Sequence, residues 1–314
     1  MTIDQKFINQ FINVTSKAAI ASHYLVGKKD KVAADKAAVD SMRKHLNQID
    51  IKGEIVIGEG ELDEAPMLYI GEKVGTMRGP EVDIAVDPLE GTNFAANNLP
   101  GALSVIAVAE KHNLFNAPET YMDKISANVS EKGVIDLDYS VKKNIFNLSD
   151  YLNKKPEKMT ACLLDRPRHS KLISELKELK VNLNLITDGD VSGALLVTDP
   201  KYKVDIFLGI GGGPEGVLAA SALDAFNCNF QGRFIFNTDS DKKRAKIMGI
   251  EDLDKKYEIN EIIKGDSIFC ATGITSGEIL SGIKISNNEV VSETLITHKS
   301  SGLKKIISTN QKIK

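Results

Sequence analysis

Asp83-Ile84-Ala85-Val86-Asp87-Pro88-Leu89-Glu90-Gly91-Thr92 is the stretch of sequence that most constrains the fold and the chemistry of this 314-residue chain. An apolar strand pattern ends there in two carboxylates, Asp87 and Glu90, followed by a glycine and a hydroxyl. Carboxylate oxygens suit Mg²⁺ or Mn²⁺, and Gly91 allows backbone amides to approach an anion closely. Thr92 can position a water or a leaving oxygen. The segment therefore predicts a metal-dependent phosphatase.

The same spacing also has a purely structural interpretation. Asp87 can begin an Asx turn, in which the aspartate side chain accepts a hydrogen bond from the backbone two residues on, with Glu90 exposed to solvent. Pro88 stiffens the turn in either case. The pattern alone leaves both interpretations open.

Composition limits the classes of protein to consider. A length of 314 residues exceeds the size at which one hydrophobic core usually stops growing, so two subdomains are expected. The net charge of −3 argues against a nucleic-acid surface, and no apolar run approaches the roughly 20 residues that span a bilayer. The N-terminus lacks a signal-peptide pattern. We expect a cytoplasmic protein that binds neither nucleic acid nor membrane.

The alternation of apolar patterns predicts an α/β protein with helices layered on a sheet. Helices are predicted over residues 3–25 and 33–46, strands over 51–58, 82–86 and 103–109, and a helical or turn segment over 66–74. The second half predicts strands at 159–164, 183–186, 204–208 and 230–236, with helices ending near 179 and covering 217–226. A polar stretch at 144–157 is the best linker candidate, which divides the chain into subdomains 1–155 and 156–314. The lysine-rich C-terminus is interpreted as a solvated, frayed end without function.

Cysteines and histidines supply no metal-binding spacing. The three cysteines, Cys162, Cys228 and Cys270, lie in apolar contexts and are expected to be buried structural thiols. The five histidines are assigned surface or packing roles, and His169 is left open because it follows Arg168.

Other acidic residues can serve as metal ligands. An acidic cluster follows the predicted strand 51–58, and Asp35 and Glu215 lie apart from it in sequence. The cluster comprises Glu59, Glu61, Asp63 and Glu64. It is either a solvated acidic loop or a ligand-bearing strand end, where α/β folds place their sites.

A glycine-rich segment offers a different function. Residues 211–216 fit G-x-G-x-x-G between a predicted strand and a predicted helix, and Asp239 follows at about the distance of a ribose-binding acid. That pattern is typical of a dinucleotide-binding enzyme. Against it, Pro214 removes a backbone donor, and Glu215 would repel a pyrophosphate unless a cation lay between them.

Six segments, taken in order along the chain, resemble class II fructose-1,6-bisphosphatases, bacterial-type members of the lithium-sensitive phosphatase superfamily. The segments are 57–68, 83–92, 187–190, 211–216, 231–233 and 270–275. The resemblance implies the sugar-phosphatase fold, an α+β layered sandwich of alternating helix and sheet layers. It also implies that 1–155 holds the metals and the reacting phosphate, and that 156–314 holds the sugar and the remote phosphate.

The resemblance implies roles for individual residues. The metal ligands are Asp35 and Glu59 for one divalent ion and Asp87, Glu90 and Glu215 for a second. The catalytic residues are Thr92, Asp63 and Glu90. The reacting 1-phosphate contacts Glu90, Gly91 and Thr92. The remote 6-phosphate is bound by Tyr121, Arg166, Pro167 and Arg168. The sugar is surrounded by Asp188, Gly189, Asp190 and Gly212.

The implied activity is hydrolysis of the 1-phosphate of fructose 1,6-bisphosphate to fructose 6-phosphate, in gluconeogenesis. Mn²⁺ or Mg²⁺ activates a water that Thr92 orients, so no histidine base is needed. A homo-oligomer of two or four chains is also implied.

A dinucleotide-dependent oxidoreductase and a noncatalytic, metal-dependent phosphosugar-binding protein are the alternatives. Activity on sedoheptulose 1,7-bisphosphate is left open.

Overall fold

The computed structural model describes residues 3–58, 67–116 and 118–312. The chain forms two compact units. The split unit comprises Met1–Asn116 and Ile263–Lys314, and the inserted unit comprises Ala117–Ile262. Within the described residues, no helix is both long and apolar enough to cross a membrane.

The split unit begins with two helices that pack against each other. A 3-10 turn at Gln5–Phe7 leads into α1 (Ile8–His23), and α2 spans Lys31–Leu46. The Asp30 carboxylate caps α2 by accepting a hydrogen bond from the Ala33 backbone N–H at 2.9 Å. Both predicted helices are confirmed.

The first strands of the split unit follow. They are β1 (Lys52–Ile57), β2 (Lys73–Val74), β3 (Glu81–Glu90) and β4 (Leu103–Glu110), with the short helix α3 (Thr92–Ala96) between β3 and β4. The predicted strands are confirmed, whereas the described part of the predicted helical or turn segment forms turns and β2. The strand β3 extends four residues further than predicted. A shift in its register with β4 between Asp87 and Glu90 accommodates Pro88, which cannot donate to the ladder.

The inserted unit alternates strands and helices around one sheet. Its elements are β5 (Tyr121–Ala127), α4 (Val141–Leu152), β6 (Thr160–Leu164), α5 (Ser170–Glu178), β7 (Asn182–Ile186), α6 (Asp190–Leu195), β8 (Ile206–Gly212), α7 (Gly213–Ala225), β9 (Asn229–Ile235), α8 (Asp239–Ile247), β10 (Lys256–Glu258) and α9 (Ile259–Ile262). The strand order is β10-β9-β5-β8-β6-β7, with β6 parallel to β7 and β8 and the other pairs antiparallel. The predicted alternation of strand and helix is confirmed.

The predicted linker at 144–157 is wrong, because most of it belongs to α4. The Ser140 hydroxyl caps this helix by accepting from the Lys143 backbone N–H at 3.2 Å. Ile145 and Leu148 are fully buried in the core of the inserted unit. Apolar residues at helical spacing therefore outweigh the polar composition that suggested a linker.

The chain then returns to the split unit. It adds β11 (Ser267–Gly273), β12 (Lys284–Ser286), β13 (Glu289–His298) and β14 (Leu303–Lys312). The strand order is β12-β13-β11-β4-β3-β1-β2, with β14 paired to β13. The main core cluster of the split unit combines residues from both chain segments, including Ile84 and Ile268.

Two sequence interpretations differ from this arrangement. The C-terminus is not a frayed end, since β14 pairs with β13 from Leu303 to Lys312 and Ile307 packs against the core. The division at 155 also differs from the observed one, because β11 lies beside β4 and carries the C-terminal segment into the first sheet. Such long-range pairing leaves no local signal in the sequence.

Candidate active site

The end of β3 places two predicted ligands in different environments. The Asp87 carboxylate accepts a hydrogen bond from the Leu89 backbone N–H at 3.2 Å, so the Asx turn does form. Glu90, however, is only 2% exposed. The structural interpretation is therefore right about the turn and wrong about Glu90, which the bulge turns into the protein.

Gly91 connects this buried carboxylate to the hydroxyl of Thr92. Its φ of +80° is left-handed, and a Cβ there would lie 2.9 Å from Phe94 Cδ2. Both facts require glycine. Because α3 begins immediately afterwards, Thr92 is its first residue and is partly exposed. Glu90 and Thr92 are thus held at a rigid strand-to-helix corner.

The third predicted ligand that the structure describes in this unit is Asp35. It lies on α2, which packs against both β3 and α3, and its Oδ1 atom is shielded from solvent. Glu59 and Asp63 lie outside the described residues. Carboxylate oxygens are donors that Mg²⁺ and Mn²⁺ accept, so the donor chemistry fits a divalent ion. Among the residues described, no three His, Cys, Asp or Glu side chains are grouped as a metal site, and the five-ligand set remains a prediction.

The inserted unit brings two predicted sugar-binding residues together around a lysine. Asp190 is 8% exposed at the start of α6, and Lys124 on β5 is 1% exposed. The Lys124 ammonium donates hydrogen bonds to Asp190 Oδ2 and to the Gly212 carbonyl, the latter at 2.6 Å. Asp188 and Gly189 precede Asp190 on the same loop, and Gly189 has a left-handed φ of +82°.

Sequence reasoning missed Lys124. The available signal was its phase in the strand, because Lys124 shares a face of β5 with Met122 and Ser126, and both of these are buried. A lysine in phase with buried positions must find acceptors inside the protein.

The glycine-rich segment is explained by two carboxylates. A Cβ on Gly211 would lie 2.0 Å from Asp190 Oδ2, and one on Gly212 would lie 1.8 Å from Glu215 Oε2. A Cβ on Gly216 would lie 2.5 Å from Met122 Sδ, so a side chain there would have to displace the end of Met122. The pattern that resembles a dinucleotide motif therefore follows from close side-chain packing.

Glu215 lies in the first turn of α7 and is partly buried. Burial raises the pKa of its carboxyl, the charge of Lys124 opposes that shift, and the charge of Asp190 reinforces it. A bound cation would favour the ionised form of Glu215, as expected of a metal ligand.

Two predicted residues of the remote-phosphate site are in contact. The Arg168 guanidinium carbon lies 4.9 Å from the centre of the Tyr121 ring, and Arg168 Nε donates to the Ile210 carbonyl at 2.9 Å. Arg168 and Tyr121 are both exposed. Pro167 begins the 3-10 turn that carries Arg168, and Arg166 precedes it.

His169 has a packing role. It is 2% exposed, its Nδ1 lies 2.7 Å from the Leu164 carbonyl, and its Nε2 accepts from the Ile210 backbone N–H at 2.8 Å. Because both ring nitrogens are hydrogen-bonded to backbone groups, the imidazole holds the turn that carries Arg168 in place. The expected burial of the three cysteines is also confirmed.

Comparison with known proteins extends over nearly the whole chain. The family model described as "Bacterial fructose-1,6-bisphosphatase, glpX-encoded" matches residues 5–311. The protein named fructose-1,6-bisphosphatase 1 class 2 from Escherichia coli (strain K12) is 43% identical over 301 residues, covering 91% of this chain and 89% of that protein. The protein named D-fructose 1,6-bisphosphatase class 2/sedoheptulose 1,7-bisphosphatase from Prochlorococcus marinus (strain AS9601) is 41% identical over 308 residues, covering 94% and 92%.

Solved structures overlap less well. The extragenic suppressor protein suhB from Bartonella henselae is 13% identical, with a TM-score of 0.37 over 62% of this chain and 73% of that one.

The family match and the two relatives agree on a class of protein, the sugar bisphosphatases. The chain belongs to the bacterial, glpX-encoded fructose-1,6-bisphosphatase family. This assignment confirms the resemblance carried by the six sequence segments.

Proposed function

We propose that this protein hydrolyses the 1-phosphate of fructose 1,6-bisphosphate to fructose 6-phosphate and phosphate, a step of gluconeogenesis, in the cytoplasm. The observation that carries the proposal is the Glu90-Gly91-Thr92 corner, where a buried carboxylate leads through a left-handed glycine to the first residue of a helix. This corner holds charge and a hydroxyl in fixed positions, as phosphoryl transfer requires. The family match supports the choice of substrate.

Residues of the split unit act at the reacting phosphate. Glu90, Gly91 and Thr92 contact it, and the Thr92 hydroxyl orients the attacking water. The water oxygen forms the new bond to phosphorus, the bond from phosphorus to the sugar oxygen breaks, and that oxygen receives a proton. Asp63 is proposed as a further catalytic residue.

Residues of the inserted unit bind the rest of the substrate. Tyr121, Arg166, Pro167 and Arg168 form the proposed remote-phosphate site. Arginine suits this role because its planar fork donates paired hydrogen bonds to phosphate. The contact between Tyr121 and Arg168 supports the phosphate-binding group. Asp188, Gly189, Asp190 and Gly212 surround the sugar, and the hydrogen bonds from Lys124 to Asp190 and Gly212 support that second group.

A divalent metal, Mg²⁺ or Mn²⁺, completes the site. The proposed ligands are Asp35, Glu59, Asp87, Glu90 and Glu215. When bound, such ions neutralise phosphate charge and lower the pKa of the attacking water. We further propose a homo-oligomer of two or four chains.

A phosphate-release assay tests the function. Purified protein is incubated with fructose 1,6-bisphosphate, sedoheptulose 1,7-bisphosphate or an inositol phosphate, with Mn²⁺, Mg²⁺ or EDTA. We expect release from fructose 1,6-bisphosphate that depends on metal and stops in EDTA. The name of the Prochlorococcus marinus relative favours the seven-carbon bisphosphate as a second substrate. Substrate binding without release would support a phosphosugar-binding protein instead.

The Thr92→Ala variant tests the proposed corner. Losing the hydroxyl that orients water should lower kcat by about 100-fold or more, with little change in melting temperature because Thr92 is partly exposed. Thr92→Ser keeps the hydroxyl and serves as the matched control, with kcat within about tenfold of the wild-type value. Near-normal turnover in Thr92→Ala would remove Thr92 from the mechanism.

A further inference from the structure

Lys124 is a buried charge in the middle of the inserted sheet. It lies on β5, whose neighbours are β8 and β9, and only 1% of it is exposed. Burying an ammonium group is costly unless several acceptors surround it. In the described part of the chain, Lys124 has two acceptors, a carboxylate oxygen of Asp190 and the backbone carbonyl of Gly212.

The two acceptors belong to different connections of the chain. Asp190 follows β7 at the start of α6, whereas Gly212 ends β8 and caps α7. One side chain therefore bonds to two connections of the chain, in a region where α6 also packs against α7 and β8. Both connections carry residues of the proposed sugar site.

Only one oxygen of the Asp190 carboxylate has a hydrogen-bond partner among the described residues. Its Oδ2 accepts a hydrogen bond from Lys124. The same atom lies in the space that a Cβ on residue 211 would occupy, and Gly211 leaves that space open. Its Oδ1 is buried and has no hydrogen-bond partner among the residues described. A buried carboxylate oxygen in this state requires a donor, and a sugar hydroxyl supplies one.

We propose that Lys124 is a positioning residue for the sugar: it fixes Asp190 so that Oδ1 accepts a hydrogen bond from a hydroxyl of the ligand, while holding the Gly212 backbone beside it. This inference rests on the proposed function, because it assigns the occupant of that site. Lys124 touches the protein and acts through Asp190. The matching ligand is a neutral polyhydroxyl group rather than a second phosphate, since a carboxylate repels anions.

Binding of fructose 6-phosphate in EDTA tests this role without turnover. Titration calorimetry would compare the wild-type protein with Lys124→Met, Asp190→Asn and the double variant. We expect the Kd to rise about tenfold in each single variant, equivalent to about 1.4 kcal/mol of binding free energy, because a hydrogen bond to a charged group is lost or misplaced. The double variant should bind no more weakly than the weaker single variant, because Lys124 acts through Asp190.

Further measurements distinguish a positioning role of Lys124 from a loss of binding caused by misfolding of the variant. Lys177→Met, at an exposed lysine of α5 outside the pocket that Lys124 and Arg168 line, should leave the Kd unchanged. If Lys124→Met fails to unfold cooperatively, the double variant decides, because it removes both buried charges. A double variant that binds like Asp190→Asn supports the proposal.

Other outcomes overturn it. A Kd within about twofold of wild type in Lys124→Met, or single effects that multiply in the double variant, would show that Lys124 does not act through Asp190. Phosphate release by the wild-type protein tests the proposed function separately. If the wild-type protein releases phosphate and Lys124→Met binds fructose 6-phosphate with an unchanged Kd, the proposed function stands and only the role of Lys124 is overturned.

Discussion

At Gly211 and Gly212 of the inserted unit, the absence of a side chain makes room for a neighbouring carboxylate. Neither residue has a positive φ, so conformational freedom does not explain them. Each instead leaves space for a neighbouring carboxylate, that of Asp190 or of Glu215. A local pattern that fits a dinucleotide loop is thus explained by contacts with residues elsewhere in the chain or one turn further on.

Gly211→Ala should displace the Asp190 carboxylate, because the new Cβ would lie 2.0 Å from Oδ2. We expect a loss of roughly 1–3 kcal/mol in the free energy of unfolding, measured by urea denaturation, and weaker binding of fructose 6-phosphate.

The control is Gly249→Ala. Nothing lies within 4 Å of a Cβ there, but φ is +87°. It therefore reports backbone strain of about 1 kcal/mol without an effect on binding. Full stability and binding in Gly211→Ala would mean that Asp190 has another position of equal energy.

At this scale, the sequence identified carboxylates better than their partners. Asp87, Glu90 and Asp190 were named from sequence, through strand-end spacing or family resemblance, and the structure places them at strand and helix ends. Lys124 was missed because a lysine in a strand is usually exposed. Its role becomes visible once β5 is paired with β8 and its side chain is found inside.

Between elements, an ion-pair network joins the loop after β5 to β9 and β10. The Asp138 carboxylate accepts from Lys256 Nζ at 2.7 Å and from Arg233 Nη2 at 2.6 Å. These two cations lower the pKa of Asp138 to about 2. Lys256 also pairs with Asp136, so one lysine ties two positions of the loop to the edge of the sheet.

Asp138→Asn should make stability less dependent on acid pH. Because the folded-state pKa is depressed, the carboxylate contributes stability above its unfolded pKa of about 3.9 and loses it as pH falls towards 2. At pH 7 the variant should be less stable by at most about 1 kcal/mol, since Asp138 is more than half exposed.

Urea unfolding at pH 7, 4 and 2.5 measures this prediction. The difference in unfolding free energy between wild type and Asp138→Asn should shrink towards zero across that range. A difference that stays constant down to pH 2.5 would show that Asp138 does not carry the ion pairs in solution.

Two elements were misread for different reasons. In α4 the apolar spacing of Ile145 and Leu148 was present, but Asn, Ser and Lys around it suggested a linker. In β14 the lysines hid an alternating pattern in which the residues between exposed positions are partly buried. Composition indicates how many side chains of a segment are polar, whereas periodicity indicates whether its apolar side chains share one face of a helix or strand that can be buried.

One of the two units of the whole molecule is built from two separate segments of the chain. The first core cluster needs β11 and β13 from the C-terminal segment, as the buried Ile268, Cys270 and Ile296 show. The second core cluster lies within one continuous stretch, from Ile125 to Leu208. A cut at 155 would leave the first cluster incomplete and divide the second.

Fragments of the chain test this division. Residues 118–262 expressed alone should unfold cooperatively on heating, because this stretch holds its own sheet and core. Residues 1–155 should show no cooperative transition, since their sheet lacks β11 and its partner β13. Circular dichroism melts measure both fragments, with the full chain as control. A cooperative transition in 1–155 would instead support the sequence-based boundary.

Sequence patterns predicted the type and order of most elements, the layered α/β class, the family and the acidic residues of the proposed site. These depend on local periodicity and on short motifs, which are written in neighbouring residues. The discontinuous split unit, the burial of Glu90 and the position of Lys124 between Asp190 and Gly212 became visible only in the folded chain. The physical reason is that strand pairing and buried hydrogen bonds join residues far apart in the chain, and their energies depend on partners that no local window contains.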